Sequence, residues 1–194
     1  MMAGGDIYFA LAAVPIVLQG LALAFDEFVF HYRRGLPRWE RIGHPLDTLT
    51  VLGVCSVAHF LPLNHGNFLI FLVASFLSCL FVTKDEWVHA KLCDAREQWL
   101  HGVLFICHPL VFVSIAFFWV WRDAPHIFAL NALRVPLVAT GLWAQVVVLC
   151  LFLTYQLIYW NFVRPPVSDP NAKSMPPATK SESADPRSYA SEIG

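Results

Sequence analysis

The chain has 194 residues, of which 57% are hydrophobic and 14% are charged, and its mean hydropathy is +0.57. Soluble domains carry about 25% charged residues, so this composition excludes an ordinary soluble protein and favours a membrane protein. The formal net charge of −1 gives no basis for a nucleic-acid partner.

Five apolar segments follow one another along the chain, with polar turns between them. Each approaches the length of roughly 20 residues that a helix needs to cross a bilayer. A buried soluble core could account for one such segment but not for five in succession. We therefore predict an all-α integral membrane protein with five transmembrane helices, at about residues 7–33, 38–63, 67–92, 95–121 and 136–163.

The composition changes after the last apolar segment. The fifth predicted helix ends in Tyr155, Tyr159 and Trp160, which we expect to form an aromatic belt at the membrane interface. From residue 164 to residue 194 the chain is rich in proline, serine and charged residues. We predict a transmembrane domain over residues 1–163, followed by a disordered cytoplasmic tail.

Basic residues concentrate in two of the turns and are absent from the turn at 64–67. The first turn holds Arg33, Arg34, Arg38 and Arg41, and the third holds Lys84, Lys91 and Arg96. Because loops rich in lysine and arginine stay in the cytoplasm, we expect a multi-pass protein of the cell membrane with its N-terminus outside and its C-terminus inside. Membrane lipid is the expected partner of these turns.

Four acid-x-x-x-His pairs flank the two basic turns. They are Glu27 with His31, Glu40 with His44, Asp85 with His89, and Glu97 with His101. A shift of 58 residues superimposes the first pair on the third, and a shift of 57 superimposes the second on the fourth. The first four helices are thus predicted to be two repeated helical hairpins that form an up-down four-helix bundle, with all four pairs at its cytoplasmic end.

The eight residues of these pairs are the predicted metal ligands. Residues four apart share a helix face, so each helix can offer a carboxylate and an imidazole to the same point. Eight groups are too many for one tetrahedral ion and suit two metal ions. Carboxylate with imidazole and no thiolate favours iron, manganese or zinc over copper(I). Asp26, Asp47, Glu86 and His108 are predicted to support the ligands or to relay protons.

This arrangement resembles the ferritin-like di-metal carboxylate proteins, in which four helices direct Glu and Glu-x-x-His groups inward. The resemblance covers residues 27–101 and implies oxygen chemistry at a di-iron site. It would make the chain a metal-dependent oxidoreductase that acts on a lipid-soluble substrate such as an acyl chain, a quinone or an isoprenoid. The chain departs from the pattern, because its spacing is i+4, every helix carries a histidine, and no long crossover is present.

Other interpretations remain open at this point. Haem b with His44 and His101 as axial ligands would indicate an electron-transfer subunit. A divalent-cation or proton transporter would also need acids and histidines within the membrane. A network of ion pairs with the arginines of the first turn would explain the acids but not the histidines. His108 could instead be a hydrogen-bonded core histidine. No catalytic residue or redox partner can be named from the sequence.

Overall fold

The computed structural model describes residues 3–86, 89–90, 93–128 and 132–164, and gives only the backbone of residues 3–6, 85 and 128. The described chain is all-helical and contains no strand, as predicted. The predicted tail lies outside the described residues, apart from Arg164.

The described part of the chain contains five long helices. Helix α1 covers Ala3–Phe25 and continues through a π-helical segment, Asp26–His31, to a last turn at Tyr32–Arg34. The others are α2 at Arg38–Phe60, α3 at His65–Phe81, α4 at Ala95–Asp123 and α5 at Val135–Ile158. A 3₁₀ turn at Val82–Asp85 extends α3, and a π-helical segment at Tyr159–Val163 extends α5. Two 3₁₀ turns, Pro125–Phe128 and Ala132–Arg134, lie before α5.

Four helices of the described chain are long and apolar enough to cross a membrane: Ile7–Arg34, His65–Lys84, Ala95–Asp123 and Ala132–Val163. Helix α2 is not among them, because it carries Arg38, Glu40, Arg41, His44 and Asp47 in its first ten residues. Large apolar side chains such as Leu21, Ile106 and Leu151 are exposed on the outside of the bundle. Exposed apolar surface of this extent is typical of a membrane-facing protein.

The helices pack around α2 and α4. Helix α1 packs mainly on α4, α5 packs mainly on α2, and α3 contacts both α2 and α4. The apolar core lies towards the end of the bundle away from the first turn, where Phe71, Ile115, Trp119 and Trp121 are almost fully buried. This packing leaves the opposite end of the bundle to the acid–histidine pairs.

The first turn is tied to the end of α5. Gly35 adopts a φ of 76°, a value that favours glycine, and its N–H donates to the carbonyl of His31. The Arg41 guanidinium donates to the carbonyl oxygens of Leu36, Trp160 and Arg164. Trp160 is only 1% exposed, so the expectation of an interfacial role is wrong for this residue. The side chain is buried because it points into the bundle at the acid–histidine end.

Candidate metal centre

Four imidazole rings meet at one end of the bundle, each from a different part of the chain. The ring centroids of His89 and His101 are 4.1 Å apart, and those of His31 and His44 are 4.7 Å apart. The remaining two sides of the quadrilateral, His44–His89 and His31–His101, measure 6.2 and 6.4 Å. The structure therefore brings together the histidines of all four predicted pairs.

A π-helical segment places Asp26 in this cluster. Residues five apart on an α-helix are separated by about 140° around its axis. The i→i+5 bonding of the segment Asp26–His31 instead stacks its first residue beneath its last. As a result, the His31 Nε2 atom lies 3.3 Å from Asp26 Oδ2 and 3.8 Å from Glu97 Oε1. The sequence pattern assigned Asp26 a supporting role, whereas the structure puts it between two imidazoles.

Asp26, His31, Glu97 and His101 have the spacing of a metal-ligand set. The Nε2 atom of His101 lies 3.2 Å from Asp26 Oδ1, and one ligand atom from each of the four residues lies within 4.8 Å of all the others. Ligands about 2.1 Å from a tetrahedral ion are about 3.4 Å from one another. The four side chains are at most 6% exposed, so an ion among them would be shielded from water.

A second set lies beside the first and is centred on Glu40. The two oxygens of this fully buried carboxylate lie 3.9 Å from His44 Nε2 and 3.8 Å from His89 Nε2. Glu40 and His44 also form a close group with His31, so the two sets adjoin at that histidine. The two sets therefore share the His31 imidazole.

Glu27 supports His31 rather than facing the other imidazoles. One of its oxygens lies 3.4 Å from His31 Nδ1, and the other accepts a hydrogen bond from the indole N–H of Trp160. Metal-binding histidines usually donate their second ring nitrogen to a carboxylate, which fixes the ring and its tautomer. Glu27 is in the position to do this for His31, and the indole holds Glu27.

Arg34 crosses the end of the cluster. Its Nη2 atom donates to Glu40 Oε2 and Glu97 Oε1, at 2.9 Å in both cases. The ion-pair interpretation of the acids requires contacts of this kind between first-turn arginines and the carboxylates. Four carboxylates, those of Asp26, Glu27, Glu40 and Glu97, are at most 4% exposed, and one guanidinium leaves three of their charges uncompensated when the imidazoles are neutral.

Several buried polar atoms of the cluster are without a hydrogen-bond partner in the described part of the chain. They include His31 Nε2, Glu40 Oε1 and His101 Nδ1. An unpaired buried polar group costs about 1–3 kcal/mol, and an uncompensated buried charge costs more. Bound divalent cations would satisfy the first two atoms and the excess negative charge together, so the residues fit a metal site.

Cys93 lies at the edge of the cluster and was not expected as a ligand. Its sulfur belongs to a close group with His89 and His101. Burial, together with the nearby Glu97 carboxylate, raises the pKa of the Cys93 thiol. The sequence offered no signal for this placement, because the residue stands alone in a turn.

Among the other predicted residues, Asp47 lies beside His44, with its Oδ2 atom 4.0 Å from His44 Nδ1. The rest make no contact with the four imidazoles in the described part of the chain, or have side chains outside it. The side chain of Asp85 lies outside the described part of the structure, and Glu86 is exposed. Asp47 is paired with Lys84, whose Nζ lies 2.7 Å from both carboxylate oxygens. His108 is hydrogen-bonded on both sides, to Gln19 at 3.2 Å and to Ser78 at 3.1 Å. It therefore has the surroundings of a hydrogen-bonded core histidine, while remaining two turns from His101.

An apolar cavity of about 400 Å³ begins at the cluster and extends into the bundle. Asp26, His44, His89 and His101 line its polar end. Beyond them the lining is mainly aliphatic and aromatic, with Val51, Leu104, Val111, Phe112, Val148 and Leu149 among its members. Cavities of this size and character suit small apolar ligands. The cluster can therefore act on a molecule held in a water-poor space.

Trp160→Phe is expected to weaken metal binding by about 10- to 100-fold, the usual effect of losing a group that orients a ligand. Phenylalanine keeps an aromatic ring but cannot donate to Glu27, so Glu27 would hold His31 less firmly. Metal affinity is measured by competition with a chelator. Trp99→Phe is the matched control, because this tryptophan is 71% exposed. Equal affinity in both variants would contradict the orienting role of the indole.

No protein-family model, curated protein or solved structure matches this chain, so its functional assignment depends on the geometry of its own residues.

Proposed function

We propose that the chain is a membrane-embedded, metal-dependent oxidoreductase with a di-iron site, acting on a lipid-soluble substrate. The observation that carries the proposal is the joining of two features: a cluster of mostly buried carboxylates and imidazoles, and an apolar cavity that ends on it. The cluster supplies carboxylate and imidazole ligands, the set that non-haem iron prefers. The cavity supplies a place for an apolar molecule beside them.

We further propose that α2 crosses the membrane as the fifth span and that α1–α4 are two repeated hairpins. Support comes from the packing of α2 against α3, α4 and α5, each of which is long and apolar enough to span. The polar residues of α2 are concentrated at the end that forms the cluster. By the positive-inside rule, we propose that the cluster lies at the cytoplasmic side of the cell membrane.

Each residue has a distinct role in this proposal. Asp26, His31, Glu97 and His101 would hold one ion, and Glu40, His44 and His89 the second. Asp85, which follows the same sequence pattern, would complete the second set. Glu27 orients His31, and Arg34 limits the negative charge at the end of the cluster. Iron bound here would supply the change of oxidation state, while the apolar lining keeps water from the reacting part of the substrate.

The test is the metal content of the chain purified in mild detergent, with the visible spectrum of the same sample. We expect two equivalents of iron or manganese in the wild type and almost none in a Glu97→Ala/His101→Ala variant. A Glu86→Ala/His65→Ala variant is the matched control, since both of its replaced side chains are exposed. It should keep both ions.

Two outcomes would overturn the proposal. A Soret band would assign the histidines to haem b and the chain to electron transfer. A stable, colourless protein without metal would leave an ion-pair network or a transport path as the function of the acids and histidines.

A further inference from the structure

We propose that the cavity is filled from the side, by an acyl chain of a bilayer lipid that passes between α1 and α5. This inference names the substrate class of the proposed oxidoreductase and depends on that function for its catalytic meaning. The route itself depends only on the cavity and its opening.

The opening is located by the exposure of the cavity lining. Twenty-four of the described residues line the cavity, and four of them are exposed: Gly20 on α1, and Gly141, Ala144 and Val148 on α5. The lining residues from α2 and α4 are buried or partly buried. The cavity is therefore closed on the side of α2 and α4 and open where α1 faces α5.

Helix packing explains why a gap exists there. Helix α1 packs mainly on α4, and α5 packs mainly on α2, so the two helices face each other across the cavity. Two glycines widen the gap. A Cβ atom added at Gly20 or at Gly141 would meet no other atom within 4 Å. Glycine within a helix is destabilising by about 1 kcal/mol relative to alanine, so helix stability does not explain these two residues.

The opening leads directly to the cluster. Leu23 and Asp26 follow Gly20 on the cavity side of α1, and Asp26 is about 9 Å further along the helix axis. On α5 the lining continues from Gly141 through Val148 to Phe152 and Gln156. An acyl chain lying along this path would have some of its methylene groups beside the imidazoles.

Acyl chains are the molecules that surround this opening. Gly20 and Gly141 lie within two of the helices that are apolar enough to span a membrane. The exposed lining residues that follow Gly141 on α5, Ala144 and Val148, are also apolar. An acyl chain that moves from the bilayer into an apolar cavity exchanges one hydrocarbon environment for another and loses no hydration. A water-soluble substrate would have to be desolvated to reach the same opening.

The experiment uses the full chain in lipid nanodiscs with a fatty acid that carries a photoreactive diazirine on its acyl chain. After illumination, mass spectrometry identifies the labelled residues. We expect labelling of lining residues such as Leu104 and Phe105 in the wild type, and at least a tenfold loss in Gly20→Leu and Gly141→Leu. Val148→Trp narrows the opening without changing a glycine. Gly53→Leu is the matched control, because Gly53 is exposed, has open space around its Cβ and does not line this cavity.

Metal content is measured on each of these variants, which separates this inference from the proposed function. Undiminished cavity labelling in all three narrowing variants would overturn the lateral route. Displacement of the probe by an isoprenoid quinone but not by unlabelled fatty acid would overturn the acyl assignment. Labelled lining residues in a protein without metal would overturn the oxidoreductase and leave the lateral route supported.

Discussion

Asp26→Asn is expected to lower the affinity for the ion of the first set by at least about tenfold, when both proteins are measured at limiting free metal. The carboxylate of Asp26 lies between the Nε2 atoms of His31 and His101, at 3.3 and 3.2 Å. Asparagine keeps the size of the side chain but removes its charge and one of its acceptor oxygens. The variant therefore loses a ligand of the first set without opening a cavity in the core.

The matched control for this change is Asp94→Asn. Asp94 caps α4 by accepting from the backbone N–H groups of Arg96 and Glu97, and asparagine caps helices equally well. These bonds lower the pKa of the Asp94 carboxyl, so its contribution to stability is present near neutral pH and is lost as the pH falls through that lowered value. An unchanged metal affinity in Asp26→Asn would contradict the assignment of Asp26 as a ligand of the first set.

Arg34→Met is expected to lower the stability of the metal-free protein by about 3 kcal/mol and that of the metal-loaded protein by much less. The Arg34 side chain is 20% exposed, but the carboxylates of Glu40 and Glu97 that it contacts are at most 4% exposed. Removing the guanidinium leaves both carboxylates buried, with only imidazoles near them. Bound metal would neutralise them, so the variant should also bind metal at least as tightly as the wild type.

The measurement is thermal unfolding in detergent, with and without added iron, on Arg34→Met and on Arg33→Met. Arg33 is the neighbouring residue and is exposed, so its replacement should change the unfolding temperature little. The comparison separates the two interpretations of the acids. An ion-pair network predicts the same loss of stability in Arg34→Met whether or not metal is present, and that outcome would contradict the di-metal site.

The all-helical fold could be predicted because apolar segments of spanning length leave few alternatives. The polar end of α2 shows the limit of that argument. Glu40, His44 and Asp47 lower the hydropathy of a helix whose remaining residues would suit a membrane, so composition alone does not distinguish a span from a polar helix. Which helices pack together was also beyond the sequence, since the α1–α4 and α2–α5 contacts depend on side-chain shape.

The candidate site was predictable to the extent that it follows α-helical periodicity. The pairs Glu40/His44 and Glu97/His101 obey the i+4 rule, and their imidazoles lie in the cluster. Asp26 does not obey it, because its proximity to His31 depends on a π-helical segment that no residue pattern announces. Trp160 enters from a helix outside the predicted four-helix bundle, so no repeat could have assigned it.

The two π-helical segments have a consequence for protein design. Glu27 belongs to one and Trp160 to the other, so the hydrogen bond between them joins two wide helical turns. De novo bundles are normally built from ideal α-helices. An ideal helix would turn Asp26 away from His31 by about 140°, so copying the ligand identities onto such a scaffold would not reproduce this site. A transplant would have to carry both irregular turns with it.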